Sequence, residues 1–457
     1  MYSSVGNLLY SRVKENSDKV FIVCNKKEYT YSKFYSLCTS TASHLINTLN
    51  VRQGETISIC FENNINFLIS YFACLMSGIK VVTINPDLSE REIDYIVENS
   101  NSKLTLDSSY NINTVDCEFK ISNIKIEDDA VIIYTSGTTG DPKGVVLTHE
   151  NLLSDAQALA SWFQFDKNTV TMCSLPLFHN NGQVTTLLAP LFAGGKTVIL
   201  NPKTSIFGFW DYIDEYDVTF TSVMPSMLSM LMSLDKVRRD STLKAILCGG
   251  QPLKRNVQDS FENKYSAKIY EGYGLTETTS FSCINDYPVS LKNGSIGKPL
   301  PCNEMTIIDG EICIRGKNVT KGYHNLPDKN REVFDKDGWF HSGDFGDMDD
   351  DGYFYFKERR DFLIIKGGEN IYPAEIENVI LGNENVSECA VIGIENSLLG
   401  QTICAIVNTK NNNENIIEYC KGKISDYKLP SKVIYVDEIP KGPTNKILYK
   451  RLIEQYG

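Results

Sequence analysis

The chain has no Cys-x-x-Cys pair. Its thirteen cysteines are scattered singly and odd in number. That excludes a disulfide framework or a zinc site of the usual spacing. Buried thiols in a reducing compartment are the expected state, and a cytoplasmic setting follows. There is no basic excess either. Lys and Arg total 45 against 57 Asp and Glu, a formal net charge of −12. General nucleic-acid binding needs a basic footprint and is set aside. An anionic substrate is still compatible, because a local basic site acts within an acidic protein. Long apolar runs are missing as well. The most apolar stretch, 67–82, is broken by Ser70, Ser77, Gly78 and Lys80. It reads as a core helix followed by a strand, with no transmembrane segment. The N-terminus lacks a basic region followed by an apolar one, so no signal peptide is read. No Pro/Gly/Ser-rich linker and no internal repeat stand out. The one low-complexity patch, 411–415, reads as a surface loop. The acidic run 347–352 lacks the spacing and terminal Glu of an EF-hand and reads as a solvated turn.

What is present is ordinary in bulk: 457 residues, 42% hydrophobic and 22% charged. At roughly 100–200 residues per domain, two or more domains are expected. Strand-length apolar runs at 58–61, 80–84, 130–134, 196–200, 218–223 and 245–247 alternate with helix-like stretches. Within 150–163, Leu152, Ala156, Leu159 and Phe163 fall at helical spacing. This predicts an α/β fold with mixed, largely parallel sheets in a large N-terminal domain of several subdomains. Near 305–316 two short strands flank Asp309-Gly310, the signal of a hairpin and a small β-rich part. The tail has its own pattern. Pro373 opens a helix over 374–380, strands follow at 389–394 and 403–407, then a helical stretch at 414–424 and a strand at 433–436. The expected division is 1–360 and 361–457.

The strand at 130–133 leads into Tyr134-Thr-Ser-Gly-Thr-Thr-Gly-Asp-Pro-Lys-Gly-Val145. Glycines let backbone N–H groups approach an anion closely. The hydroxyls add donors and Lys143 a point charge. Taken on its residues the loop reads as a phosphate cradle or as an ordinary surface turn, and the Walker A spacing is absent. Its order of residues resembles the phosphate loop of the adenylate-forming superfamily: acyl- and aryl-CoA ligases, stand-alone adenylation enzymes and luciferases. The resemblance runs from about Tyr29 to Leu452 through a series of motifs in order.

That resemblance implies a site. ATP is expected on Thr135, Ser136, Gly137, Thr138, Thr139, Gly140 and Lys143. Leu175-Pro-Leu-Phe-His179 is similar to the segment that closes the carboxylate pocket, with His179 as the gate. Asn180, Asn181 and Gln183 follow. They contact substrate or cap a helix starting near Val184, and both readings stand. Gly249, Gly250, Gln251 and Pro252 resemble the adenine-lining segment. In Tyr270-Glu-Gly-Tyr-Gly-Leu-Thr-Glu-Thr278, Tyr273 offers adenine a flat face, while Gly272 and Gly274 allow close approach, Gly272 on the substrate side. Thr276 is the expected donor to the α-phosphate and Glu277 the Mg²⁺ ligand. Asp344 matches the ribose-binding Asp, with Ser342 where Thr is commoner. Arg359 falls on a ribose-contacting Arg and Asp361 on the hinge, with Gly367 and Gly368 on the thiol side. Glu358 stands at a usual Gly position and Phe362 at a common Asp position. Lys446 matches the catalytic lysine, preceded by Asn445 where Gly is usual, with Lys441 close by.

The reaction so implied joins a carboxylate to ATP as an acyl-adenylate and passes it to a thiol. Two anions meet in the first step, so catalysis is mostly positioning and charge stabilisation. The small C-terminal domain is then a mobile lid that turns between the half-reactions. CoA is the expected acceptor, with ATP and Mg²⁺ as the other requirements. The alternative within the family loads a carrier-protein phosphopantetheine. A kinase or NTPase releasing ADP, and a nucleotide-binding relic, are the readings from other classes.

Overall fold

The computed structural model describes residues 2–110, 119, 122–135, 142–234, 242–289, 291–367, 369–409, 415–442 and 447–457. The chain divides into two compact units. One comprises 1–306, 313–340 and 349–354, the other 307–312, 341–348 and 355–457.

The large unit is built on two sheets. In the larger, six parallel strands run in the order Ile269–Tyr273, Ala245–Cys248, Phe220–Val223, Val170–Cys173, Lys196–Ile199, Val20–Cys24. Antiparallel strands close both ends. The smaller sheet runs Ser102–Asp107, Thr56–Cys60, Lys80–Thr83, Asp129–Thr135, Lys143–Thr148, and only the last pairing is antiparallel. Parallel strands covered on both faces read as continuous apolar runs, which is why they were visible in the sequence.

The apolar stretch 67–82 folds as the helix Ile65–Ser77 and the strand Lys80–Thr83. Asn64 Oδ1 caps the helix by accepting from the Asn66 and Phe67 N–H groups at 2.9 and 3.0 Å. Gly78, at φ 66°, ends it. The helix is buried from Phe67 to Ser77. Phe72 meets Phe34 edge-on at 5.3 Å, and Phe21 stacks on Tyr31 at 4.7 Å. The helix His149–Trp162 starts with a reciprocal cap between Thr148 and Asn151. No helix among the described residues is long and apolar enough to cross a membrane.

The smaller unit holds a five-stranded sheet. Val386–Asn396 and Gly400–Thr409 form its long antiparallel pair, joined by Lys432–Tyr435, Ile364–Lys366 and Glu369–Ile371. Pro373 opens the helix Pro373–Leu381 as predicted. The helix expected over 414–424 is shorter, Ile416–Cys420, followed by a turn. Asp309 and Gly310 both have positive φ, 51° and 81°, between the strands Asn303–Ile308 and Glu311–Gly316. A type I′ hairpin turn requires that geometry.

Candidate active site

In an open parallel sheet, ligands bind beyond the carboxyl ends of the strands. The expected site residues of the large unit lie there. The strands ending at Cys173, Cys248 and Tyr273 deliver the segments with His179, Gly249 to Pro252, and Tyr273 to Glu277. In the smaller sheet, Thr135 ends one strand and Lys143 begins the next, and the two are register partners. They flank the segment expected to hold phosphate. Ser136, Gly137, Thr138, Thr139 and Gly140 lie outside the described residues.

His179 sits half-buried, its ring 4.6 Å from that of Phe178. The helix that follows starts at Asn181 and winds as a π-helix to Leu188. Asn180 precedes it but makes no capping bond, so the capping reading is corrected. Its Nδ2 donates to the Thr276 carbonyl at 3.4 Å instead. That bond joins the segment expected to border the carboxylate to the one expected to hold the α-phosphate, 96 residues apart in sequence. Gln183 is no cap either. Fully buried, it donates to Leu177 O and Thr83 Oγ1 and braces the 177–179 turn.

Gly274 has no alternative. An added Cβ would lie 1.7 Å from the Ser280 carbonyl oxygen. Gly250, at φ 83°, turns the chain after the strand Ala245–Cys248. Gln251 and Pro252 follow at the strand's mouth, where the next N–H, that of Leu253, donates to Glu271 Oε1 at 3.0 Å. Burial pushes the Glu271 carboxyl up to about 7, and the Leu253 bond opposes that shift. Gly249 and Gly272 pack tightly, since a Cβ on Gly249 would come within 2.9 Å of Gly272 O. Tyr273, partly exposed, ends this strand.

Thr276 and Glu277 lie in a 3₁₀ turn, Thr276–Thr278. Glu277 Oε1 accepts the Tyr323 hydroxyl at 2.8 Å. The Lys143 ammonium lies 6.0 Å from the centre of the same ring. Tyr323 was missed from the sequence because Gly322-Tyr-His-Asn325 sits in no motif that was singled out.

In the smaller unit Arg359 Nε donates to Asp344 Oδ1 at 2.7 Å. Asp344 is 2% exposed, and its N–H donates to Ser342 Oγ at 3.0 Å. The Glu358 carboxylate accepts from Arg359 N and from Ala374 N, at 2.9 and 3.0 Å. Ala374 is the second residue of the helix Pro373–Leu381, whose cap residue Tyr372 supplies no side-chain bond. Glu358 therefore supplies an anion at a helix N-terminus from fifteen positions upstream of the helix start. Burial raises its carboxyl above the ordinary value. Phe362 lies 4.7 Å from Tyr449, ring to ring, and Tyr449 donates to Glu377. Of the two departures at the expected hinge, Glu358 thus serves a helix N-terminus and Phe362 packs on Tyr449. Asp361 is exposed in a 3₁₀ turn, and Gly367, at φ 60°, donates to Leu399 O. Lys441 is ion-paired with Glu388. Gly368 and Lys446 lie outside the described residues.

Family models for the AMP-binding enzyme match residues 9–120 and 110–324, and the AMP-binding enzyme C-terminal domain matches 375–446. A 2-succinylbenzoate–CoA ligase of Bacillus licheniformis is 32% identical, over 98% of this chain and 99% of its own. A long-chain-fatty-acid–CoA ligase of Mycobacterium tuberculosis is 30% identical over 94% of this chain and 93% of its own. The o-succinylbenzoate CoA synthetase of Bacillus subtilis, solved with an acyl-adenylate intermediate, superposes with a TM-score of 0.90 at 30% identity, covering 97% of each chain. The same enzyme solved with ATP and magnesium ion gives 0.88 at 30% identity, covering 98% and 99%.

Proposed function

The chain belongs to the AMP-binding enzyme family, and from that premise we propose how its own residues run the reaction. It is an AMP-forming carboxylate–CoA ligase. The acid's carboxylate attacks the α-phosphorus of ATP, the bond to the bridging oxygen breaks, and pyrophosphate leaves. The CoA thiol, losing its proton, then displaces AMP from the acyl carbon.

In the proposed assignment, Lys143 and the loop from Thr135 hold the β- and γ-phosphates. Tyr273, Gly274 and the 249–252 segment hold adenine. Thr276 donates to the α-phosphate, and His179, Asn180 and Gly272 border the carboxylate. Asp344 and Arg359 take the ribose. Lys446 bridges the carboxylate and the α-phosphate, where two anions meet. Glu277 suits Mg²⁺. It is a hard oxygen donor, partly open, and among the described residues only the Tyr323 hydroxyl bonds its carboxylate. The ion, when bound, neutralises charge on the phosphate oxygens.

The observation that supports this assignment most directly is the Asn180–Thr276 bond. It ties together the segments proposed to border the acid and the α-phosphate, the two groups that must be held together for the attack. The proposal also keeps 361–457 as a lid turning about Asp361 between half-reactions. The relatives are CoA ligases, which favours free CoA over a carrier-protein arm. ATP and CoA as substrates, and the free cysteines, favour the cytoplasm.

The relatives act on different acids, so the test is a panel. Aryl, keto and fatty acids are scored by Mg²⁺-dependent ATP–pyrophosphate exchange and by CoA thioester. Release of ADP alone across the panel overturns the proposed roles.

A further inference from the structure

Glu277 is where a metal carboxylate is wanted, yet it sits on a short 3₁₀ turn, which by itself fixes a side chain poorly. What holds it comes from elsewhere in the chain. The Tyr323 hydroxyl donates to Glu277 Oε1 at 2.8 Å, and the Thr320 N–H donates to the Glu277 carbonyl at 2.7 Å. The segment carrying both is itself fastened. The Val146 N–H donates to Gly322 O, the His324 N–H to Gly144 O, and Val145 bridges Tyr323. Asn330 clamps the Tyr323 backbone from the other side, accepting from its N–H at 2.7 Å and donating to its carbonyl at 3.2 Å. The partner strand, Lys143–Thr148, begins with the phosphate-loop lysine, whose ammonium lies 6.0 Å from the Tyr323 ring centre.

One tyrosine therefore touches the expected metal carboxylate with its hydroxyl and stands beside the expected phosphate cation with its ring. We propose that Tyr323 is a positioning residue. It fixes the Glu277 carboxylate for the metal–nucleotide complex and sets its distance from Lys143. This rests on the assignment of Glu277 and Lys143 above. The physical reason is preorganisation. A carboxylate with one oxygen tied by a charge-assisted bond keeps the other aimed without reordering when the phosphates arrive. The ring face beside an ammonium adds a weaker restraint on Lys143.

Tyr323→Phe removes the hydroxyl and keeps the ring. With wild-type protein alongside, three measurements decide. Half-saturation by Mg²⁺ in pyrophosphate exchange rises about tenfold, the typical effect of losing a hydrogen bond to a charged group. Mn²⁺ affinity in the presence of a non-hydrolysable ATP analogue, read by paramagnetic resonance, falls by a similar factor. Thioester formation from preformed acyl-adenylate and CoA changes less than about twofold, because no metal carboxylate is used there. Unchanged metal requirement and unchanged Mn²⁺ affinity overturn the proposal. So does loss of the fold, or an equal loss in both half-reactions, which assigns Tyr323 to stability alone. If wild type exchanges no pyrophosphate with any acid, the ligase assignment fails instead, and the Mn²⁺ titration still decides the role of Tyr323.

Discussion

Arg359 Nε donates to Asp344 Oδ1 at 2.7 Å, and Asp344 is almost completely buried while the arginine side chain is 41% exposed. Each residue matched a ribose contact separately. On the proposed assignment, a nucleoside bound there would meet a preformed ion pair, with the carboxylate already oriented. Arg359→Ala is therefore expected to weaken ATP binding by roughly tenfold or more, and Asp344→Asn likewise. The double variant should lose much less than the product of the two, because the pair acts as a unit. ATP affinities of the four proteins check this, and multiplicative losses contradict it.

Lys441 and Lys446 compete for the catalytic assignment in the sequence. The ion pair from Lys441 to Glu388 gives Lys441 a structural partner. Lys446→Ala is expected to depress adenylate formation by about 10²–10³ while sparing thioester formation from preformed adenylate. Lys441→Ala should change neither half-reaction by more than a few-fold and lower stability slightly. A reversed pattern moves the catalytic role to Lys441.

Glu271 gives a pH signature. Its carboxyl is raised from 4.5 to about 7 by burial. Its stabilising contribution is full below pH 4.5 and is lost as pH rises through about 7. A shift of this size corresponds to about 3 kcal/mol. Glu271→Gln should remove that dependence. Its Tm is expected to exceed that of wild type increasingly from pH 5 to 8, with the gap closing in acid. Parallel Tm–pH curves for the two proteins would contradict the assignment.

Asp361 lies in the 3₁₀ turn Arg360–Phe362, whose backbone geometry is close to the φ that proline imposes. Asp361→Pro should therefore fold, and the fixed φ should restrain rotation at this point. Near-normal pyrophosphate exchange with strongly reduced thioester output is expected. Glu358 bears on the result. Its carboxylate ties the 358–359 backbone to the helix Pro373–Leu381 within one compact unit. Normal thioester output in the proline variant would move the pivot upstream of that clamp.

Where the chain uses local chemistry, the sequence was readable. Continuous apolar runs in 130–134 and 245–247 mark parallel strands, because both faces of such strands are covered. Pro373 marks a helix start because its missing N–H has no partner to lose there. The expected phosphate loop and the segment 270–278 stood out in the sequence through their Gly and hydroxyl residues, which close approach to phosphate favours, and through their resemblance to the family's motifs. The family and the reaction class followed from those motifs in order. What the sequence did not contain was the pairing of distant groups. Asn180 was open to substrate contact or to capping a helix; it caps none and bonds Thr276. Tyr323 belonged to no singled-out motif, and only the strand partnership of 143–148 with 322–324 sets it between Glu277 and Lys143. Glu358 looked like a departure at a glycine position until its carboxylate was seen on the N-terminus of a helix fifteen residues on. Local propensity and composition are written along the chain. A bond between side chains far apart in sequence exists only once the sheets have set their strands in register.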